Sequence, residues 1–245
     1  MTKYSFSLLP KSLLIGALML TGCCCHDDDN DTDPVPVDPY NGHEYVDLGL
    51  PTGLKWATCN IGASAPEEYG DYFAWGETVP YYEDGYAWST YKWCEGSSNT
   101  LTKYCNNGTY GYNGFTDSKT TLDPEDDAAR YQWGGNWRMP TQADWQELID
   151  NCKWEKTEFN GKDGYKVTSK KYEDRFIFLP AAGRRKDTDI NFRGEIGFCW
   201  SSSLYTDDPN NAYCLILSYY SPESVDVNVE YRNRDHGLSV RPVCP

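Results

Sequence analysis

Three consecutive carboxylates, Glu125-Asp126-Asp127, have the type and spacing to do chemistry. Clustered oxygens are what Ca²⁺ takes as ligands, and a carboxyl pair can also act as general acid and base. The same residues suit a helix start, with Asp123 as cap, Pro124 in the first helical position and acids in the first turn. Ca²⁺ is the only cofactor the sequence points to. A second set is aromatic. Tyr81, Tyr82, Trp88, Trp93 and Tyr110 fall in a Tyr-, Gly- and Asn-rich stretch from Glu77 to Gly114 that has no periodicity. Rings on such a surface loop can stack on a sugar or a side chain, or else pack the loop onto the fold. Arg184-Arg185-Lys186 places three cations at the tip of a turn, suited to an anionic ligand or to local ion pairs. Arg138 and Arg241 offer the same choice, with Asp144 or Glu147 as candidate carboxylate partners. Ser201-Ser202-Ser203 lacks any nucleophile motif, and the chain has only three histidines, His26, His43 and His236.

The element best specified to position these groups is a helix after Pro140. The residue before a proline is kept from helical dihedrals, so Met139 ends an extended run. Thr141 reads as an N-cap with Asp144 three places on, and Trp145, Leu148, Ile149 and Cys152 then form one apolar stripe. Around this helix the sequence reads as strands and turns. Glu44–Leu50 and Leu54–Cys59 alternate about Pro51-Thr52-Gly53, a β-hairpin signal. Asp71–Gly76, Tyr165–Thr168, Phe176–Leu179, Phe198–Ser203, Tyr213–Ser218 and Val225–Val229 are further strands, with a turn at Asp207–Asn211. Trp137, Trp145 and Trp200 have the size of core anchors. With 15% aromatics, 21 glycines and 14 prolines, the composition suits a turn-rich sheet protein.

A net charge of −15 excludes nucleic acid as an expected partner, because phosphate binding needs a basic surface. Of ten cysteines, three stand at 23–25, leaving Cys59, Cys94, Cys105, Cys152, Cys199, Cys214 and Cys244. In an exported protein some of these pair: Cys94 with Cys105 would close a short loop, and Cys199 with Cys214 would join neighbouring strands. No C-x-x-C spacing occurs for zinc or redox chemistry.

The N-terminus supplies an address. Lys3 and Lys11 precede an apolar run, Leu13–Leu20, too short to span a bilayer. Leu20-Thr21-Gly22-Cys23 resembles the lipobox of bacterial lipoproteins, which implies cleavage after residue 22 and acylation of Cys23. The acidic run Asp27-Asp28-Asp29-Asn30-Asp31 resembles the surface-export signal of Bacteroidetes lipoproteins, which implies the outer membrane and its outward face. Residues 23–41, ending in the Pro-rich spacer Asp33–Pro39, read as a stiff, solvated tether. The folded domain is expected over 42–245.

Four ordered segments carry a further resemblance: Trp137-Arg138-Met139-Pro140-Thr141, Phe178-Leu179-Pro180-Ala181-Ala182-Gly183, Trp200-Ser201-Ser202-Ser203 and Gly237-Leu238-Ser239-Val240-Arg241-Pro242-Val243. With Tyr45–Ala57 and Tyr69–Glu77 they resemble the Fibrobacter succinogenes major paralogous domain family of Bacteroidetes surface lipoproteins. The resemblance implies a C-type-lectin-like α+β fold: a twisted, mostly antiparallel sheet with one main helix and long surface loops. It implies no shared activity. The Trp-Arg-x-Pro-Thr start is also similar to that of formylglycine-generating enzymes, but their Gly-Asn-Val-Trp-Glu-Trp motif is absent. The expectation is a non-catalytic adhesion module that binds a glycan or a protein through the 77–114 aromatics. A structural subunit of a surface assembly, such as a pilus tip, is the alternative.

Overall fold

The computed structural model describes residues 38, 40–81, 83, 85–221 and 224–245. Cys23, the acidic run and Tyr82 therefore lie outside the described residues. Asp38–Pro245 is one compact unit. Its packing begins just before Gly42: the Trp137 indole donates to the Tyr40 carbonyl at 2.7 Å, and Asn41 donates to the Trp133 carbonyl at 2.5 Å.

The fold is mostly antiparallel sheet with one principal helix. Strands β1 (Tyr45–Asp47) and β2 (Lys55–Ala57) form the expected hairpin in register Tyr45↔Ala57, with Gly53 at φ +77° supplying the left-handed turn residue. Helix α1 (Ala128–Trp133) and helix α2 (Gln142–Asn151) follow. Then come β3 (Cys152–Phe159), β4 (Lys162–Ser169) and β5 (Phe176–Pro180), an antiparallel meander. The small hairpin β6 (Arg184–Lys186) and β7 (Asp189–Asn191) leads to β8 (Gly197–Leu204), β9 (Asn211–Ser221) and β10 (Ser224–Asn233), paired in the order β10-β9-β8. Strand β11 (Val243–Cys244) returns to the free edge of β2.

The β8–β9–β10 sheet separates two apolar clusters, and strand alternation sorts its residues between them. Phe198, Trp200, Ala212, Cys214 and Ile216 join Phe73, Trp75, Trp133 and Trp137 on one side. Cys199, Leu215 and Leu217 join Trp145 and Leu148 of α2 and Tyr165, Val167, Ile177 and Leu179 of the meander on the other. Thr141 and Asp144 form the predicted capping box, and Asp144 also holds Arg138 at 2.7 Å. Of the predicted stripe, Trp145, Leu148 and Cys152 are buried and Ile149 is half-buried. Trp145 and Trp200 are joined, the indole of the first donating to the carbonyl of the second at 3.2 Å.

The four ordered segments meet in space. Arg138 and Val243 exchange backbone hydrogen bonds at 3.0 and 2.9 Å, Ser202 N–H donates to the Pro140 carbonyl at 2.8 Å, and Trp200 N–H donates to Ser239 at 3.0 Å. Arg241, fully buried, closes the set. It donates to Asn60 Oδ1 and to the carbonyls of Ala57, Thr58 and Phe178 at 2.6–3.0 Å. All four acceptors are neutral, so a carboxylate partner for Arg241 is not what the fold uses; desolvation brings its guanidinium down to about 10.

Three local expectations change. The acidic helix start is displaced: Pro124–Asp126 forms one 3₁₀ turn without a side-chain cap from Asp123, and α1 begins later, capped by Asp127. Asp71–Gly76 is extended but not a strand: it makes the isolated bridge Phe73↔Leu238, its Trp75 N–H donates to the Arg234 carbonyl at 2.9 Å, and Gly76 at φ +78° ends it. The basic tip is a strand: Arg184–Lys186 pairs with Asp189–Asn191 around Asp187.

Candidate functional site

The long 77–114 excursion has little regular structure, a 3₁₀ turn at Tyr112–Gly114 apart, and most of its described aromatics face inward; Tyr112 is 46% exposed. Tyr86 and Tyr91 are buried with Tyr72, Ala74 and Ala182, and Tyr81, Trp88 and Trp93 are half-buried against them. Tyr81 stacks on Tyr86 at 4.3 Å, Trp88 meets Tyr91 edge-on at 5.6 Å, and the Trp93 indole donates to the Gly76 carbonyl at 2.8 Å. Tyr110 is half-buried, and its carbonyl accepts from Leu101 N–H at 2.8 Å. None of the described candidates among Tyr81, Trp88, Trp93 and Tyr110 is an open ring. They are the loop's own core, because a loop of this length must bury apolar surface to stay ordered.

Arg234 fastens this loop. It is fully buried, and its guanidinium donates to the Tyr91 hydroxyl and to the carbonyls of Lys103, Tyr104 and Pro209 at 2.9–3.0 Å. The same group lies 5.0 Å from the Trp75 ring centroid. Five donors in a rigid planar fork suit such a hub.

The carboxylate trio is dispersed. Asp127 Oδ1 accepts from Ala129 and Arg130 N–H, and its carboxylate also accepts from Met139 N–H at 2.8 Å. Asp126 accepts from Lys103 Nζ at 2.5 Å and from the Tyr104 hydroxyl at 2.6 Å. Glu125 is exposed. The Lys103 ammonium sits among Asp123, Glu125 and Asp126 at 2.7, 3.8 and 2.5 Å. No group of three metal-capable side chains occurs among the described residues.

The cysteine pairs do not form: Cys94, Cys105, Cys199 and Cys214 are free thiols, as are Cys59 and Cys152. Cys214 pairs with Trp200 in the β8–β9 register, so Cys199, one position off, points through the opposite face. Cys94 and Cys105 turn their sulfurs to different carbonyls, Trp88 at 3.0 Å and Asn107 at 3.2 Å. The serines are structural: Ser203 Oγ accepts from Gln142 N–H, Ser201 Oγ from Ser203 N–H, and Ser202 Oγ faces the Pro140 carbonyl. Nδ1 of His236 has no hydrogen-bond partner among the described residues, so no Ser–His pair is built.

An aromatic group with one exposed ring lies on the β9–β10 ribbon. Tyr213 and Tyr231 are register partners, on the face that carries Leu215 and Val229 toward α2. Tyr205, just past β8, stacks on Tyr231 with centroids 4.1 Å apart and planes at 10°, and meets Tyr213 edge-on at 5.4 Å. Tyr231 is 45% exposed. The rim is polar: Asp207 and Asn106 are exposed, and the Asn106 amide donates to the Thr206 carbonyl at 2.8 Å, bringing the 77–114 loop to the platform edge. Partial desolvation and then the nearby Asp207 charge raise the Tyr205 phenol above its ordinary range. The sequence held one usable signal: the alternation Val225, Val227, Val229 runs on to Tyr231.

Shallow depressions also occur, one lined by Leu48, Pro51, Ser169 and Lys171 and one along Gln142, Gln146 and Asp150 of α2. Among the described residues no helix is long and apolar enough to cross a membrane. Compared with models of known families, with curated proteins and with solved structures, the chain matches none.

Proposed function

We propose that the chain is a binding module for glycans, recognising a sugar ring on the Tyr205–Tyr213–Tyr231 platform. The stacked Tyr205–Tyr231 pair carries this reading. A flat, half-open aromatic surface offers a sugar's C–H face a favourable contact, while Asp207 and Asn106 stand at the rim for its hydroxyls. Of the three rings Tyr231 is exposed and Tyr205 and Tyr213 are half-buried beside it, so the group presents one open ring backed by two others on a single sheet face.

The module in this reading is carried on a lipid attached to Cys23 and held at the outer membrane, facing the exterior, by the acidic and Pro-rich tether. Within the antiparallel α+β architecture, the arrangement we favour is the C-type-lectin-like one of the Fibrobacter succinogenes major paralogous domain family. The convergence of the Trp137–Thr141, Phe178–Gly183, Trp200–Ser203 and Gly237–Val243 segments supports it.

A glycan array probed with the wild type and with Tyr231→Ala tests the proposal. Hits that weaken two- to tenfold in the variant are expected, from about 0.5–1.5 kcal/mol per aromatic contact. An array without hits, or hits indifferent to Tyr231, overturns it.

A further inference from the structure

The other face of β10 gathers cations. Arg185 and Gly237 exchange backbone hydrogen bonds at 2.8 and 3.0 Å, which sets Lys186 opposite His236 and Arg184 opposite Leu238. Side-chain alternation then puts Arg184, Lys186 and His236 on one face. Arg185 takes the other, with its guanidinium 5.4 Å from the Tyr86 ring. Arg232 of β10, paired with Ala212, joins the first group. Its guanidinium and that of Arg184 lie 5.6 and 5.8 Å from one ring, Phe198. Phe192, 43% exposed, carries Arg184 at 5.6 Å.

Acidic groups stand on one side of this cluster: Asp189 is the register partner of Lys186, and Asp235, 4% exposed, feels the Lys186 charge. Glu230 stands 3.3 Å from Arg232, whereas neither Arg184 nor Lys186 has an ion-pair partner among the described residues. Arg184 Nε and His236 Nδ1 are buried and make no hydrogen bond among the described residues. His236 is only 6% exposed. A buried polar atom left without a partner costs about 1–3 kcal/mol, and two of them beside gathered like charges call for a missing acceptor. The electrostatics agree with the geometry. Burial and then the charges of Arg184, Lys186 and Arg232 bring His236 down to about 4, and burial and then Arg232 lower Arg184.

We propose that Arg184, Lys186, Arg232 and His236, floored by Phe192 and Phe198, form a binding site for a tetrahedral oxyanion, a sulfate or phosphate group. Two guanidinium forks match such an ion by geometry as well as by charge. The neutral imidazole adds an Nδ1–H donor, and Lys186 adds a point charge. The site is separate from the tyrosine platform, because Tyr231 and Arg232 are consecutive on β10 and project to opposite faces.

Isothermal titration calorimetry of the full chain with inorganic sulfate, inorganic phosphate, a sulfated monosaccharide and a sugar phosphate tests it. One saturable site is expected, weakened about tenfold or more by Arg184→Gln and by Arg232→Gln. Lys153→Gln, at an exposed ion pair with Glu173, leaves it unchanged. The esters binding more tightly than the free ions identify a glycan or metabolite source, and the reverse order a free ion. In parallel, the His236 ring nitrogens shift in NMR spectra as the site fills. Should Arg184→Gln fail to fold, Arg232→Lys keeps the charge but loses the fork, and binding still weakens severalfold. No saturable binding, binding indifferent to both arginines, or binding without a His236 shift overturns the proposal.

Discussion

Replacing Glu77 by glutamine should stabilise the protein at alkaline pH and leave its stability unchanged in acid. Glu77 sits at the root of the long loop, 8% exposed, with Oε1 accepting from Lys92 N–H at 2.8 Å. Burial outweighs that bond and the nearby Lys92 charge, pushing the carboxyl from 4.5 to about 7. A folded-state value above the unfolded one means that the folded protein holds the proton more tightly. The ionised carboxylate therefore opposes folding. Its cost is absent below about pH 4.5, grows between 4.5 and 7, and is complete above 7. The rise from 4.5 to about 7 corresponds to about 3 kcal/mol. Glutamine keeps the acceptor for Lys92 N–H and removes the titration. Urea unfolding at about pH 8.5 and about pH 4.5 should show the variant ahead by about 3 kcal/mol at the first and level at the second. Asp235, also raised by burial, titrates in both proteins and cancels in the difference. A gap that is flat across pH, or a wild type that gains stability over the variant as pH rises, would refute the reasoning.

Arg234→Met should destabilise the fold by at least about 3 kcal/mol, because several buried carbonyls lose their donor at about 1–3 kcal/mol each. Limited proteolysis should then cut within residues 77–114, and cleavage elsewhere first would contradict the hub role. Asp127→Ala removes the α1 cap and strands Met139 N–H, costing about 2–4 kcal/mol in thermal unfolding; addition of Ca²⁺ should move neither protein. Thiol alkylation of the folded domain near neutral pH should be slow at Cys152 and Cys199, whose thiols burial pushes up to about 11 and about 12. Cys59, Cys94, Cys105, Cys152, Cys199 and Cys214 should all react once the chain is denatured without reductant, and protection of any of them that only a reductant removes would reveal a disulfide.

What the sequence showed plainly was local. Pro140, Thr141 and Asp144 set the start of α2 within five residues, and Pro51-Thr52-Gly53 sets the first hairpin in the same way. What it hid depends on register and on distant carbonyls. Lys153–Phe159 mixes four charged residues with Thr157 and only two apolar ones, Trp154 and Phe159, without a clean alternation, so its pairing with β4 is what shows β3 to be a strand. Cys199 and Cys214 looked like neighbours, and a single step of register sends them to opposite clusters. Arg234 gave no signal at all, because three of its acceptors are backbone carbonyls at positions 103, 104 and 209. The aromatics of 77–114 were read as exposed since the stretch has no periodicity; a loop without a ladder buries its rings to hold its shape. The proposed platform took two residues, Tyr213 and Tyr231, that only strand pairing brings together.

The most direct test of the platform is amide and ring chemical-shift mapping during titration of the full chain with the tightest-binding oligosaccharide. Perturbations should centre on Tyr205, Tyr213 and Tyr231 and spread to Asn106 and Asp207. Perturbations centred instead on Tyr81, Trp88, Trp93 and Tyr110, with the platform silent, would contradict the account.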